Sequence, residues 1–283
     1  MSAYTKLTSV PLGSDYHKVS FKFREFVNKK GFIEVPAQTR LSILAACEDP
    51  ATVSTHTFMG TEYASIQSNQ MTLEEVILRD PKNVGYFCDT ISYRAEPNPV
   101  EGRHNFVFPM KEIEAQGTIE DLIELETQLL EHLGFGNRST YHYKTYTELC
   151  EFYHTDELDH AHEASMYMDF GPVVFITDFV EQTHPFWNMK RDPQTGLAKK
   201  VDVILCGQET FGSAERSCDV SDMRRRFHTI SDGKYADLLY ARFTRERVER
   251  ELEEYFNNKF IPRYGMGIGV TRLIRAMHLE NLL

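Results

Sequence analysis

Hydrophobic residues between positions 14 and 31 recur at roughly helical spacing, with lysines and arginines between them. This pattern predicts an amphipathic helix with one buried face. Gly31 comes at the end of the pattern and is typical of a helix end. A short apolar run over 32–35 then predicts a strand that ends before Pro36. The first predicted unit is therefore a helix followed by a strand.

Helical and strand-like patterns alternate along the rest of the chain. Helices are predicted over 70–79, 118–133 and 235–256, and a glycine-rich run over 265–277 enters a final helix. Strands are predicted over 86–93, 106–114, 173–179 and 200–206, with 210–213 continuing the sheet. Residues 45–62 predict a loop, residues 191–199 predict a hairpin turn, and His160-x-His162 has the alternation of a strand. This order indicates an α+β fold with an antiparallel sheet flanked by helices, in a single domain over 1–283.

The amino-acid composition excludes some classes of protein. The 283 residues include 42 acidic and 31 basic side chains, so the formal net charge is −11. This balance excludes a surface that coats nucleic acid throughout. No stretch approaches the 18 apolar residues of a membrane span. The five cysteines are odd in number and form no C-x-x-C pair, which favours reduced thiols and a cytoplasmic location.

One predicted hairpin carries arginine at both ends of its loop, Arg94 and Arg103. Arginine presents a planar fork of donors to phosphate oxygens, so this hairpin could bracket a triphosphate. Phe108 lies on the return strand, where it could stack on a base. Taken alone, the pattern also fits a surface hairpin with ordinary ion pairs.

Two later segments carry further candidate chemistry. The run GMGIGVTR, residues 265–272, allows the backbone to approach a ligand closely and places Arg272 on the first turn of a helix. It lacks the spacing and the acidic partner of a dinucleotide fingerprint. Asp202 and Glu209 could hold Mg²⁺, which prefers a few carboxylates together with phosphate oxygens.

Together and in this order, the segments resemble the catalytic core of class II aminoacyl-tRNA synthetases over roughly residues 14–277. The series RAE, RH, F and ExE between Arg94 and Glu114 looks like motif 2 of that family. GMGIGVTR looks like motif 3, and the helix ending in KKGFIEVP resembles motif 1. The resemblance implies a mostly antiparallel sheet flanked by helices, and a homodimer formed through motif 1.

The resemblance also implies a reaction, in which ATP with Mg²⁺ converts a carboxylate into an acyl-adenylate. Arg94 and Arg272 are the expected catalytic residues, with Arg94 bridging the carboxylate and the α-phosphate. The implied ATP-binding residues are Arg94, Glu96, Arg103, His104, Phe108, Asp202, Glu209, Gly269 and Arg272. Among these, Asp202 and Glu209 are the implied metal ligands.

Within the family, DVILCGQE followed by GSAER resembles the aspartate and asparagine branch, and so does QSNQ at 67–70. The implied substrate-binding residues are Glu48 and Gln70 at the ammonium group, Glu112 and Arg216 at the far end, and Gly207. Leu73 stands where aspartyl enzymes carry a lysine. A neutral side chain such as that of asparagine therefore stays open as the substrate.

Two departures from the family pattern change the expected activity. Motif 1 begins within the first 20 residues, which leaves no room for an N-terminal anticodon-binding barrel, and Val107 replaces a motif 2 glutamate. A free-standing asparaginyl-like core resembles archaeal-type asparagine synthetases, which implies activation of aspartate and amidation by ammonia or a small amine. One alternative is a paralogue that passes an aminoacyl group to tRNA, a protein or a small molecule, although tRNA is not the expected partner. Another is a non-catalytic regulatory relative.

Overall fold

The first predicted helix forms as α1, Gly13–Lys29, and buries Val19, Phe23 and Val27 on one face at a spacing of four residues. Gly31 then adopts a left-handed φ of 83°. A residue without a Cβ adopts this conformation at little cost, so the chain can turn sharply into the strand β1, Ile33–Glu34. The computed structural model describes residues 13–38, 41–44 and 50–283.

The described residues form eight further α-helices and nine further strands. The helices are α2 Gln70–Arg79, α3 Ile119–Leu133, α4 Tyr146–Tyr153, α5 His160–Asp169, α6 Val220–Thr229, α7 Lys234–Phe243, α8 Arg245–Phe256 and α9 Val270–Leu279. The strands are β2 Thr55–Phe58, β3 Thr61–Ala64, β4 Gly85–Tyr93, β5 Val107–Gln116, β6 His142–Thr145, β7 Val173–Phe179, β8 Ala198–Leu205, β9 Gln208–Glu215 and β10 Arg263–Gly269. Short 3₁₀ turns cover Ser42–Leu44, Pro50–Thr52, Arg138–Thr140, Glu181–Thr183 and Ile230–Gly233.

Eight strands form one sheet in the order β1-β4-β5-β10-β9-β8-β7-β6. The five pairings in the middle of this sheet are antiparallel, whereas β1 and β6 at its two edges run parallel to their neighbours. β2 and β3 form a separate antiparallel hairpin. The expected α+β fold with a mostly antiparallel sheet is confirmed, with parallel pairing added at both edges.

Three local predictions were wrong. The loop predicted over 45–62 overlaps the hairpin β2–β3, which spans 55–64, while its residues 45–49 lie outside the described residues. The His160-x-His162 alternation lies in α5, because Asp159 caps that helix by accepting the N–H groups of Ala161 and His162. The single helix predicted over 235–256 is two helices that meet at Thr244, whose φ is 68°.

The main core lies between the sheet and a layer made of α1, α3 and α9. Buried residues of β5, β8, β9 and β10 alternate toward this layer, as the period of two in a strand requires. The opposite face of the sheet carries a second core around the fully buried Trp187, formed mostly with α6, α7 and α8. No described helix combines the length and low polarity needed to cross a bilayer.

Four buried charged side chains lie under the second face of the sheet and form a connected network. Arg263 Nη2 lies 2.6 Å from Glu74 Oε2, and Tyr255 donates to the same oxygen at 2.8 Å. Arg216 Nε donates to Glu114 Oε1 at 3.2 Å and lies 3.6 Å from Glu74 Oε1. Each charge therefore has a close partner of opposite sign, as burial of charge requires.

Gly265 makes room for this network, since a Cβ atom on it would overlap both Glu114 and Arg216. We expect Gly265→Ala to lower the free energy of unfolding by about 3 kcal/mol through overpacking against groups that cannot relax apart. Chemical denaturation measures this effect. Gly13→Ala is the control, because a Cβ at residue 13 meets nothing within 4 Å. Equal stability of the two variants would contradict the prediction.

A further buried acid, Glu126 on α3, has the hydroxyl of Ser213 and the carboxylate of Asp202 as neighbours. Burial raises the pKa of Glu126 from 4.5 to about 8. Between pH ~4.5 and pH ~8, Glu126 is therefore protonated in the folded state and ionised in the unfolded state. The contribution of this group to stability is full below pH ~4.5 and falls as the pH rises toward about 8.

The free energy of unfolding should fall by on the order of 3 kcal/mol between pH ~5 and pH ~8 because of Glu126, and we expect Glu126→Gln to remove this fall. The measurement is the free energy of unfolding against pH for the variant and the parent protein. Glu124→Gln on the exposed side of the same helix is the control, because the pKa of Glu124 is lowered by its hydrogen bonds to Gln128 and Arg138. Parallel pH profiles for the parent and Glu126→Gln would contradict the prediction.

Candidate active site

The floor of the candidate site is a row across the sheet that is poor in side chains. Gly267 on β10 pairs with Gly212 on β9 and with Glu112 on β5, and Gly212 pairs with Asp202 on β8. Directly paired residues point to the same face, so two neighbouring glycines leave a trough between the carboxylates of Glu112 and Asp202. The glycine run is thus mainly a strand that clears space, and Gly269 at its end precedes α9.

A cavity of about 250 Å³ lies over this trough. Its described lining brings together most of the implied ATP-binding residues. These are Arg94, Glu96, Arg103, His104, Phe108, Glu209, Gly269 and Arg272, together with the implied substrate residue Gln70. Ser68, Asn105, Met110, Thr210, Gly212, Gly267 and Thr271 complete the described lining.

The cavity is rich in arginine. Arg94 lies with its guanidinium carbon 5.5 Å from the centre of the Phe108 ring. Arg272 donates from Nη1 to the carbonyl of Glu209 at 2.6 Å and from Nη2 to the carbonyl of Arg103 at 3.5 Å. Arg272 therefore links the loop between β4 and β5 to β9. Three guanidinium groups facing one cavity suit an anion with several charges.

His104 adds a polar group without a fixed positive charge. Its Nδ1 accepts the N–H of Val100 at 3.1 Å. Burial lowers the pKa of His104, so the ring is mainly neutral at pH ~7. Positive charge at this end of the cavity therefore comes from the arginines.

The two implied metal ligands differ in their placement. Glu209 lines the cavity, and its carboxylate lies 3.8 Å from Arg272 Nη1. Asp202 is 8% exposed, lies beside the cavity lining, and forms a 2.8 Å ion pair with Lys200. Among the described residues, no three His, Cys, Asp or Glu side chains converge as a metal site. Glu209 fits a Mg²⁺ ion that arrives with a nucleotide, since such ions need only one or two protein carboxylates.

At the other end of the cavity, Gln70 lies between the opening and Arg216. Its Oε1 accepts a hydrogen bond from Arg216 Nη2, and Arg216 also donates to Glu114. Glu112 lies below Ser68 and accepts hydrogen bonds from the Ser68 hydroxyl and from the N–H of Asn69, the latter at 2.8 Å. Glu112 and Arg216 therefore lie one side chain behind the described cavity lining.

Three other positions complete the comparison with the sequence. Glu48 lies outside the described residues. Gly207 lies at the turn between β8 and β9 with a φ of 80°, against Ala164 of α5 and away from the described cavity lining. Leu73 is fully buried in an apolar cluster with Ile77 and Tyr86. A residue at position 73 therefore acts on the core rather than on the cavity surface.

Sequence reasoning missed one charged residue of the site, Glu163 on α5. Its Oε1 lies 2.7 Å from Arg103 Nη2, and its Oε2 accepts the N–H of Glu209 at 3.0 Å. Arg103 lies 60 residues away in sequence. The sequence pattern predicted a strand where α5 lies, so it did not show which residues share a face of this helix. No local signal therefore indicated the contact between Glu163 and Arg103.

Comparison with known proteins agrees with this fold. The structure of asparaginyl-tRNA synthetase from Pyrococcus horikoshii complexed with asparaginyl-adenylate superposes with a TM-score of 0.75 at 20% identity, covering 95% of this chain and 65% of that one. Asparaginyl-tRNA synthetase from Entamoeba histolytica gives 0.71 at 18% identity, with coverage of 93% and 63%. Aspartyl-tRNA synthetase from the same organism gives 0.67 at 18% identity, with coverage of 93% and 54%. The chain thus spans less than two thirds of these structures.

No curated protein sequence matches the chain significantly. The sequence profile of the tRNA synthetases class II (D, K and N) does match, over residues 15–281. This interval contains the sheet, the glycine trough and every described residue of the cavity lining. The chain belongs to the class II tRNA synthetase family of the aspartate, lysine and asparagine type.

Proposed function

We propose that this protein uses ATP to activate the carboxylate of aspartate as an acyl-adenylate, and that ammonia then displaces AMP to give asparagine. The observation that carries the proposal is the arginine-rich cavity, with Phe108 among its lining and Gln70 at the amino-acid end. Class II synthetases activate amino acids with ATP, so the first step follows from the family. The choice of aspartate and ammonia rests on the resemblance to asparagine synthetases.

In the first step, a carboxylate oxygen of the amino acid attacks the α-phosphorus of ATP and pyrophosphate leaves. Negative charge builds on the α-phosphate in the transition state, and Arg94 is the group expected to stabilise it. Arg103, His104 and Arg272 are expected to hold the β- and γ-phosphates, while Phe108 stacks on adenine. No covalent enzyme intermediate is needed, because orientation and charge account for most of the rate.

Mg²⁺ would neutralise phosphate charge and orient the leaving group once bound with ATP. Glu209 is the described cavity residue best suited to contact it. Asp202 would join it after exchange of its Lys200 partner. In the second step, the nitrogen of ammonia forms a bond to the acyl carbon, the bond to the AMP oxygen breaks, and the nitrogen releases a proton to solvent.

A second candidate is activation of asparagine, with transfer to tRNA, a protein or a small molecule. One observation favours it: Arg216 already donates to Glu114 and Gln70, so it has less capacity to balance a second substrate carboxylate. Glu112, one side chain behind the lining, would accept a hydrogen bond from a carboxamide once Ser68 gives up its own. The two candidates differ in amino acid and in acceptor.

The test is release of AMP and pyrophosphate from ATP with Mg²⁺, measured with aspartate, asparagine or glutamate and with or without ammonium. We expect AMP to form with aspartate, to rise with ammonium, and to match the asparagine produced. Arg94→Ala should lower the rate about 100-fold or more through loss of transition-state stabilisation. Arg224→Ala is the control, since Arg224 pairs with Glu253 on the surface.

Turnover with asparagine alone, indifferent to ammonium, would contradict the proposal and favour the second candidate. Absence of AMP with any amino acid, from a protein that still binds ATP, would favour a regulatory relative. Equal loss of activity in Arg94→Ala and Arg224→Ala would show that the first substitution acts through folding.

We also expect a cytoplasmic homodimer formed through motif 1. Phe21 on α1 and Ile33 on β1 are 63% and 41% exposed, although both are apolar. Light scattering should give twice the chain mass of 32.8 kDa. Phe21→Asp should shift the protein toward the monomer, because it places a charge in the apolar contact. A parent protein that stays monomeric at micromolar concentration would contradict this expectation.

A further inference from the structure

Glu163 touches two different walls of the candidate nucleotide site. One carboxylate oxygen pairs with Arg103 in the loop between β4 and β5, at 2.7 Å. The other accepts the backbone N–H of Glu209 on β9, at 3.0 Å. The side chains of Glu163 and Arg103 are 16% and 15% exposed, so water screens the pair only partly. A single carboxylate thus connects an implied phosphate ligand to an implied metal ligand.

The helix that carries Glu163 is anchored. At the turn between β8 and β9, a Cβ on Gly207 would lie 3.0 Å from the backbone of Ala164, so α5 packs directly on that turn. Tyr167, one helical turn further on, donates to Glu280 at 2.8 Å. These contacts fix α5 against the hairpin β8–β9 and the end of the chain. The position of Glu163 is therefore fixed by the packing of its helix as well as by the two partners of its carboxylate.

We infer that Glu163 is a positioning residue, which orients Arg103 and the start of β9 toward the β- and γ-phosphates of ATP. Arg103 uses Nη2 for Glu163 and is also a residue of the cavity lining, and its guanidinium has other N–H donors for a phosphate. This inference rests on the proposed function, because it assumes that the cavity binds ATP.

The opposite role would be competition, with the carboxylate occupying the place of a phosphate. The anchoring of α5 argues against it, because a competitor has to move aside when ATP binds. The second bond of Glu163, to the N–H of Glu209, would also be lost in such a movement. A charge-assisted contact retained in the complex costs less than one exchanged on binding.

The experiment compares equilibrium binding of ATP with Mg²⁺ and of AMP to the full chain by calorimetry. AMP lacks the β- and γ-phosphates. Its binding therefore shows whether the part of the site that contacts adenine and the α-phosphate is intact. We expect Glu163→Gln to weaken ATP binding about tenfold through loss of a charge-assisted contact, and to leave AMP binding within about twofold. Glu151→Gln, an exposed substitution on α4, should change neither.

A double-mutant cycle separates positioning from a general effect. In an Arg103→Ala background, Glu163→Gln should change ATP binding by less than about twofold, because the residue to be oriented is absent. Tighter ATP binding by Glu163→Gln would overturn the inference in favour of competition, and equal weakening of ATP and AMP would overturn it in favour of a structural role. A parent protein that binds neither nucleotide would overturn the proposed function together with the inference.

Discussion

The glycines of β10 allow one face of the sheet to carry a buried ion network and, next to it, a cavity. Gly265 leaves space for Glu114 and Arg216, while a Cβ on Gly267 would lie 2.9 Å from Gln70 and 3.0 Å from Met110. The same strand pairs with β5 on one side and β9 on the other. The glycines therefore set the depth of the cavity and the position of the charges beside it.

Charged side chains form two neighbouring groups along this strand. Around Gly265, each buried charge in the network has a close partner of opposite sign. Around Gly267 and Gly269, three arginines and two glutamates line the described cavity, and Glu163 pairs with one of these arginines. The three arginines are complementary to the charge of a polyphosphate.

Local sequence predicted the parts of the site that are close in the chain. The arginines at both ends of one loop, Phe108 on the return strand and the glycine run all indicated the cavity before its geometry was known. The contacts between distant segments had no such signal. Arg103 meets Glu163 across 60 residues, and Arg216 meets Glu114 across 102. The pairing of Asp202 with Lys200 is local by contrast, because residues two apart on a strand share a face.

The position of β10 also has a consequence for biosynthesis. This strand is the last of the sheet in chain order, yet it lies between β5 and β9 near the middle. Until residues 263–269 leave the ribosome, β5 and β9 have no common neighbour and the two walls of the cavity are unconnected. Pairings over such long sequence separations form late because loop closure must come first. The two walls of the cavity are therefore joined in one step, once β10 has been synthesised.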